Sequence, residues 1–348
     1  MSTIKLPGLV DMHVHLRDPG QTEKEDFYTG TSAALAGGFT TVFDMPNNKL
    51  PITTSERLEE KKEDAKKKIV CDVGFYFGSL GENIDEFKKI KNKVYGLKLY
   101  LNQTTGGYII DEIALKKIYD NWPNDSLILL HSEENIIDRV MNEVRRTGKR
   151  SHFCHLSSKA ELVAVIQAKK DNLPVTCGVC PHHLFLTEKD VSLLGAFGRM
   201  KPELKSEKDR QFLWKNLKYV DVIESDHAPH TLDEKNSDHP PHGVPGLETT
   251  LPLLLKAADE KKLSIDRIIE LCYTNQAHIL GLRQDKNTYI EVDMMEYIIR
   301  GKDLKTKCGW TPFEGWKVKG RVKRVVLRGK KVYEDGKVLV KPGFGKVL

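Results

Sequence analysis

Along most of the chain, short apolar, β-rich runs alternate with longer stretches of helical periodicity. Eight such runs predict strands: residues Leu9 to His15, Phe39 to Met45, Ile69 to Phe77, Val94 to Leu101, Leu127 to His131, Ser151 to His155, Pro174 to Cys180 and Val220 to Ser225. Between them lie Lys24 to Ala36, Ser55 to Lys67, Asn135 to Arg146, Ser158 to Lys170 and Glu207 to Leu217. Each is long enough to carry the crossover that joins two parallel strands. Eight strands in this alternation predict a closed (β/α)8 barrel over residues 1–285. A Pro-, Gly- and His-rich loop from His230 to Gly246 and helices from Leu247 to about Leu282 complete it. Residues 286–348, with turn signals at Gly329 and Gly336, predict a small β-rich extension packed beside the barrel.

The net charge is +6. Its lysines alternate with acids, as in Glu59 to Lys68, which predicts a solvated helix face. The most basic stretch, Lys317 to Lys331, alternates Val with charge and lacks the interleaved aromatics of a base-stacking surface, which argues against nucleic acid. No run approaches the roughly 18 apolar residues of a membrane span, and the first residues lack an apolar leader core, so a cytoplasmic protein is expected. Six scattered cysteines predict reduced thiols; Cys177 and Cys180, a lone Cys-x-x-Cys, read as buried small hydrophobes.

Chemistry concentrates where the strands end, the face on which such barrels carry their sites. His13 and His15 sit two apart, so their imidazoles leave the first strand on one side and can grip one cation. Lys98 lies inside the fourth strand, His131 ends the fifth, His155 ends the sixth and Asp226 follows the eighth. A single histidine at a strand end is an ordinary rim residue; four of them with an acid, drawn from four strands, point to metal. Lys98 is the sharpest signal, because an unpaired ammonium is costly inside a barrel strand. A neutral lysine amine can instead take up carbon dioxide, giving a carbamate whose two oxygens can bridge two ions.

Several stretches together carry a resemblance: Asp11 to Gly20, Met45-Pro46-Asn47, Lys98 to Asn102, His131-Ser132-Glu133, His152 to His155, Pro181 to Leu186, Ser225 to His230, Gly246 to Thr249 and Trp310 to Gly315. Over nearly its whole length the chain resembles the dihydroorotases of the amidohydrolase superfamily, especially the dihydroorotase domain of the multifunctional animal pyrimidine-synthesis protein. The resemblance implies two zinc ions: one on His13, His15 and Asp226, the other on His131 and His155, with carboxylated Lys98 between them. Asp226 would also shuttle the proton. Arg17, Asn47, Lys201, His230 and His242 would hold a small anionic substrate, N-carbamoyl-L-aspartate or dihydroorotate, under a mobile loop containing Thr104 and Thr105. It further implies a homodimer that can associate with aspartate carbamoyltransferase.

The chain departs from the family pattern in places. Lys201 stands where the animal domain has an arginine, keeping the charge but losing the bidentate fork; Arg199 is nearby. His242 replaces a proline, and Thr105 a phenylalanine. Gly178 replaces a glutamate that helps hold an additional metal beside Cys154, which leaves a third zinc without one of its ligands. Hydantoinases and allantoinases would share fold and metals, but Arg17 and Asn47 favour a substrate bearing a carboxylate. A metal-free structural relative would have lost ligands that this chain keeps.

Overall fold

The computed structural model describes residues 2–102, 109–134 and 136–348. Fourteen strands are found among them: β1 (Thr3–Pro7), β2 (Leu9–Val14), β3 (Phe39–Asp44), β4 (Asp72–Phe75), β5 (Phe77–Gly78), β6 (Leu97–Tyr100), β7 (Ile128–His131), β8 (Ser151–Phe153), β9 (Val175–Val179), β10 (Val222–Ile223), β11 (Tyr289–Ile298), β12 (Lys317–Leu327), β13 (Lys330–Glu334) and β14 (Lys337–Val338). β2 to β10 run parallel and form the barrel. All eight apolar runs supply a stave, with β4 and β5 forming one stave interrupted at Tyr76. Nearly every residue of these strands is buried, because helices cover the outside and side chains fill the inside. Val10, Met12, Phe43, Tyr76, Leu129, Cys154 and Val222 form an apolar cluster separate from the larger core.

Closure between β2 and β10 relies on side chains as much as on ladder bonds. Val14 bridges to His227, and the His15 amide donates to the His227 carbonyl at 2.8 Å. Lower down, Gln276 accepts from the Met12 amide at 2.8 Å and donates to the Ile223 carbonyl at 2.7 Å. Asp11 receives the Ser225 amide at 3.2 Å. Buried strand-edge groups that lack a neighbouring ladder are satisfied in this way.

Helix starts follow the capping chemistry of the sequence. Asp26 with Thr29 and Ser158 with Glu161 form reciprocal boxes at the heads of Phe27–Ala36 and Lys159–Lys170. One helix corrects the expectation drawn from its charge. In Ser55–Lys68 the lysine at 61 is fully buried, on the same face as Leu58 and Ala65. Lys61 Nζ reaches Asp44 at 2.7 Å, the Met45 carbonyl at 3.0 Å and Asn48 at 2.8 Å. Asp44 in turn accepts from the Leu16 amide at 2.8 Å. This network ties together the two turns that carry Arg17 and Asn47.

The remaining strands form a five-stranded antiparallel sheet in the order β1-β11-β12-β13-β14. The extension was expected from the tail alone, but its edge strand comes from the N-terminal segment, with Thr3 opposite Asp293. No described helix is long and apolar enough to cross a membrane. All six cysteines are free and buried.

Candidate metal centre

A cleft opens at the C-terminal ends of the staves and gathers residues far apart in sequence. His13, His15, Arg17, Asn47, His131, His155, Lys201, Asp226 and His242 all line it, joined by Tyr100, which sequence reasoning did not single out. Lys98 lies beneath, fully buried, with its Nζ 3.2 Å from Cys154 Sγ and 5.1 Å from the centre of the Tyr100 ring. Thr104 and Thr105 fall outside the described residues. A wider cavity at the opposite end of the barrel, walled by Lys62, Lys93, Arg150 and His278, shares no residue with this cleft.

The histidines and acid pack tightly. Asp226 Oδ1 lies 3.3 Å from His13 Nε2 and 3.0 Å from His15 Nε2. His131 Nδ1 faces His155 Nε2 at 3.0 Å, and the His13 and His155 rings are 5.0 Å apart. The His15 ring spans two oxygen partners, Asn47 Oδ1 2.7 Å from Nδ1 and Asp226 Oδ1 3.0 Å from Nε2. His131 Nε2 meets Glu133 at 3.2 Å. Three of the polar residues adopt left-handed backbone: Arg17 (φ 63°), His155 (φ 39°) and Asp226 (φ 45°). Non-glycine residues reach this region at a cost, and such strain gathers where side chains must be aimed.

Burial sets the electrostatics. It lowers His15 to about 4, and with nearby cations it lowers His131 and takes His155 well below its ordinary value. Neutral imidazoles are the metal-binding form, whereas His13, against burial and Lys98, is raised to about 10 by Asp226, Cys154 and Glu224. Burial also opposes ionisation of Asp226, yet His13 and His15 outweigh it and hold the carboxyl well below the usual range. His13, Asp226 and His155 have ligand atoms within 4.8 Å of one another, so a divalent cation fits this donor set.

The substrate-side residues divide. Arg17 is 4% exposed; its Nε donates to the Pro229 carbonyl at 3.2 Å and its Nη2 to His230 Nε2 at 3.2 Å. His230 stands behind Arg17, outside the cleft wall, with Nδ1 3.3 Å from Glu234; burial and then Arg17 lower it to about 3, keeping it a neutral acceptor. Lys201 lines the cleft and pairs with Glu203 at 2.9 Å. Sequence reasoning also missed Glu224, a fully buried acid whose Oε2 is 3.3 Å from His13 Nδ1.

The profile of the amidohydrolase family matches residues 4–332. Multifunctional protein CAD of Squalus acanthias is 45% identical over 348 residues, covering 99% of this chain; the chain spans only 15% of that relative's length. A dihydroorotase of Pyrococcus abyssi is 37% identical over 99% of the chain and 87% of its own length. Among solved structures, an L-hydantoinase (dihydropyrimidinase) from Arthrobacter aurescens superposes with a TM-score of 0.93 at 24% identity, over 99% of this chain and 88% of that one, a likeness of fold.

Proposed function

The chain belongs to the amidohydrolase family, and on that premise we propose that it is a zinc-dependent dihydroorotase. It interconverts N-carbamoyl-L-aspartate with (S)-dihydroorotate and water, a step of pyrimidine synthesis. The observation that carries this reading over a hydrolase of neutral rings is Arg17, a nearly fully buried guanidinium in the wall of the cleft that holds the metal-binding cluster. Its likeness in sequence to dihydroorotases adds support.

His13, His15 and Asp226 would hold one zinc, His131 and His155 a second, and Lys98, carboxylated on Nζ, would bridge them. The fit at Lys98 is chemical: a fully buried amine whose described hydrogen bond goes to a thiol gains from becoming an anion between cations. Carbamate formation makes an Nζ–C bond to carbon dioxide and releases one proton. When bound, the ions would polarise the ring amide carbonyl and lower the pKa of water toward neutrality.

The chain's own groups do the rest. Asp226 accepts the proton of the attacking water on its carboxylate and delivers it to the ring nitrogen as the C–N bond breaks. Arg17 binds the substrate carboxylate, held by Pro229 and His230 so that its free face meets the cleft. Lys201 and His242 complete the polar wall, and Asn47 fixes the His15 tautomer while facing the substrate. Homodimerisation and association with aspartate carbamoyltransferase go with this reading, supported by likeness to a segment of a multifunctional protein. The direct test presents purified protein with dihydroorotate, hydantoin and allantoin, alongside metal analysis. Turnover confined to hydantoin or allantoin, or none with metal loaded, would overturn the reading.

A further inference from the structure

At the end of β9, three donors gather that the two-ion chemistry leaves unused. Cys180 follows the stave directly, and His182 and His183 sit in the short helix Pro181–Phe185. Their ligand atoms all lie within 4.8 Å of one another, and the two imidazole rings stand 4.4 Å apart at 65°. All three residues are buried. Cys177, the other half of the Cys-x-x-Cys, has a partner of its own: its Sγ meets the Tyr219 carbonyl at 3.8 Å.

The histidines fall short of what burial demands. His183 Nε2 lies 3.0 Å from the Pro202 carbonyl, which can only accept, so the proton of the neutral ring sits on Nε2 and Nδ1 carries a lone pair. That Nδ1 and the Nε2 of His182 are buried and make no hydrogen bond among the described residues. Burial lowers His183 and takes His182 well below its ordinary value, so both rings are neutral and each has a nitrogen to give. Native interiors rarely leave polar atoms in this state, and two of them beside a thiol call for a shared cation. The Pro202 contact has the form that ligating histidines show, with one ring nitrogen on the ion and the other N–H held by a backbone carbonyl.

We propose that Cys180, His182 and His183 bind a divalent cation of the zinc type, through the thiolate and one nitrogen of each imidazole. Binding forms the sulfur–metal bond and releases the thiol proton to solvent. Mixed thiolate and imidazole donors suit zinc and its cobalt substitute. None of these residues is a ligand in the two-ion reading, so the site stands or falls independently of it. None lines the cleft either, so the ion holds the wall and does not meet substrate. It would fix the end of β9 against the segment bearing Lys201, because His183 grips the carbonyl of the neighbouring Pro202.

The test uses the full chain, loaded with cobalt and then dialysed against metal-free buffer. Anomalous scattering from wild-type crystals should show a peak among Cys180, His182 and His183, separate from any at His15 and Asp226 or at His131 and His155. Cys154→Ser removes the other thiol near Lys98, and in that background thiolate-to-cobalt charge-transfer absorption should remain. Adding Cys180→Ser should abolish the absorption and leave one ion fewer per chain, as should adding His183→Gln. No peak at this cluster in wild type refutes the proposal without any variant, and so does a peak seen only in excess cobalt and lost on dialysis. It is also overturned if the absorption is already absent from Cys154→Ser, or if it survives Cys180→Ser. Missing peaks at the catalytic pair alone would count against the two-ion reading only.

Discussion

Replacing Arg17 with Met tests the substrate reading where the structure makes it quantitative. The side chain is 4% exposed, and its described hydrogen bonds use Nε and Nη2, leaving Nη1 for a ligand in the cleft. A substrate carboxylate brought into that wall without the guanidinium would be a desolvated charge lacking its partner. Truncating one side of such a pair costs about 2 to 5 kcal/mol, equivalent to a fall in kcat/KM of roughly 30- to 5,000-fold. A neutral cyclic amide makes no use of the charge, so its residual turnover should change little. The assay compares dihydroorotate and hydantoin on one preparation, with bound metal measured in parallel because metal loss would lower both rates. Equal proportional losses at unchanged metal content would show that Arg17 supports the fold or the ions, and the argument for carboxylate recognition would fail.

Asp226→Asn should cut turnover by at least about 10²-fold, the usual cost of losing a general acid/base, with protein stability and most metal retained; a rate above half of wild type would rule out the proton shuttle. Lys98→Ala should lose most activity and regain part of it in high concentrations of small carboxylic acids; an intact mass showing unmodified Lys98 in active, metal-loaded protein would contradict the carbamate. His230 titrates at about 3 when folded and near 6.5 when unfolded, so the unfolded chain binds more protons between those values and stability rises with pH across that window. Urea unfolding of wild type and His230→Gln should therefore diverge in slope by up to about 1.4 kcal/mol per pH unit between pH 6 and 4, and parallel slopes would show that the imidazole is not held neutral.

The barrel was legible because its staves are buried on both faces and read as uninterrupted apolar runs. That His13, His15, His131, His155 and Asp226 would meet in one cleft was legible because those runs end in residues that packing does not require. Other features depended on contacts that no local pattern encodes. Lys61 sits in an alternating charged segment, and only its register with Leu58 and Ala65 places it on the buried face. Glu224 reads as the end of the eighth strand, and its burial beneath the cleft uses the empty volume at Gly178 in the adjacent stave. His230 follows the Asp226 motif closely, but the turn directs it behind Arg17. β1 is short and half exposed, and its partner lies 290 residues away.

That last pairing governs how the protein can be made. Ribosomes deliver about 5 to 20 residues per second, so the partner of Thr3 emerges roughly 15 to 60 seconds after Thr3 itself. The first barrel stave, joined to β1 through Gly8 alone, waits about three-quarters as long for the His227 segment that flanks it. Throughout that interval an unpaired strand and the edge of an open parallel sheet face the cell. Intermediates of this kind recruit chaperones or aggregate, so growth temperature and translation speed will control the yield of active protein.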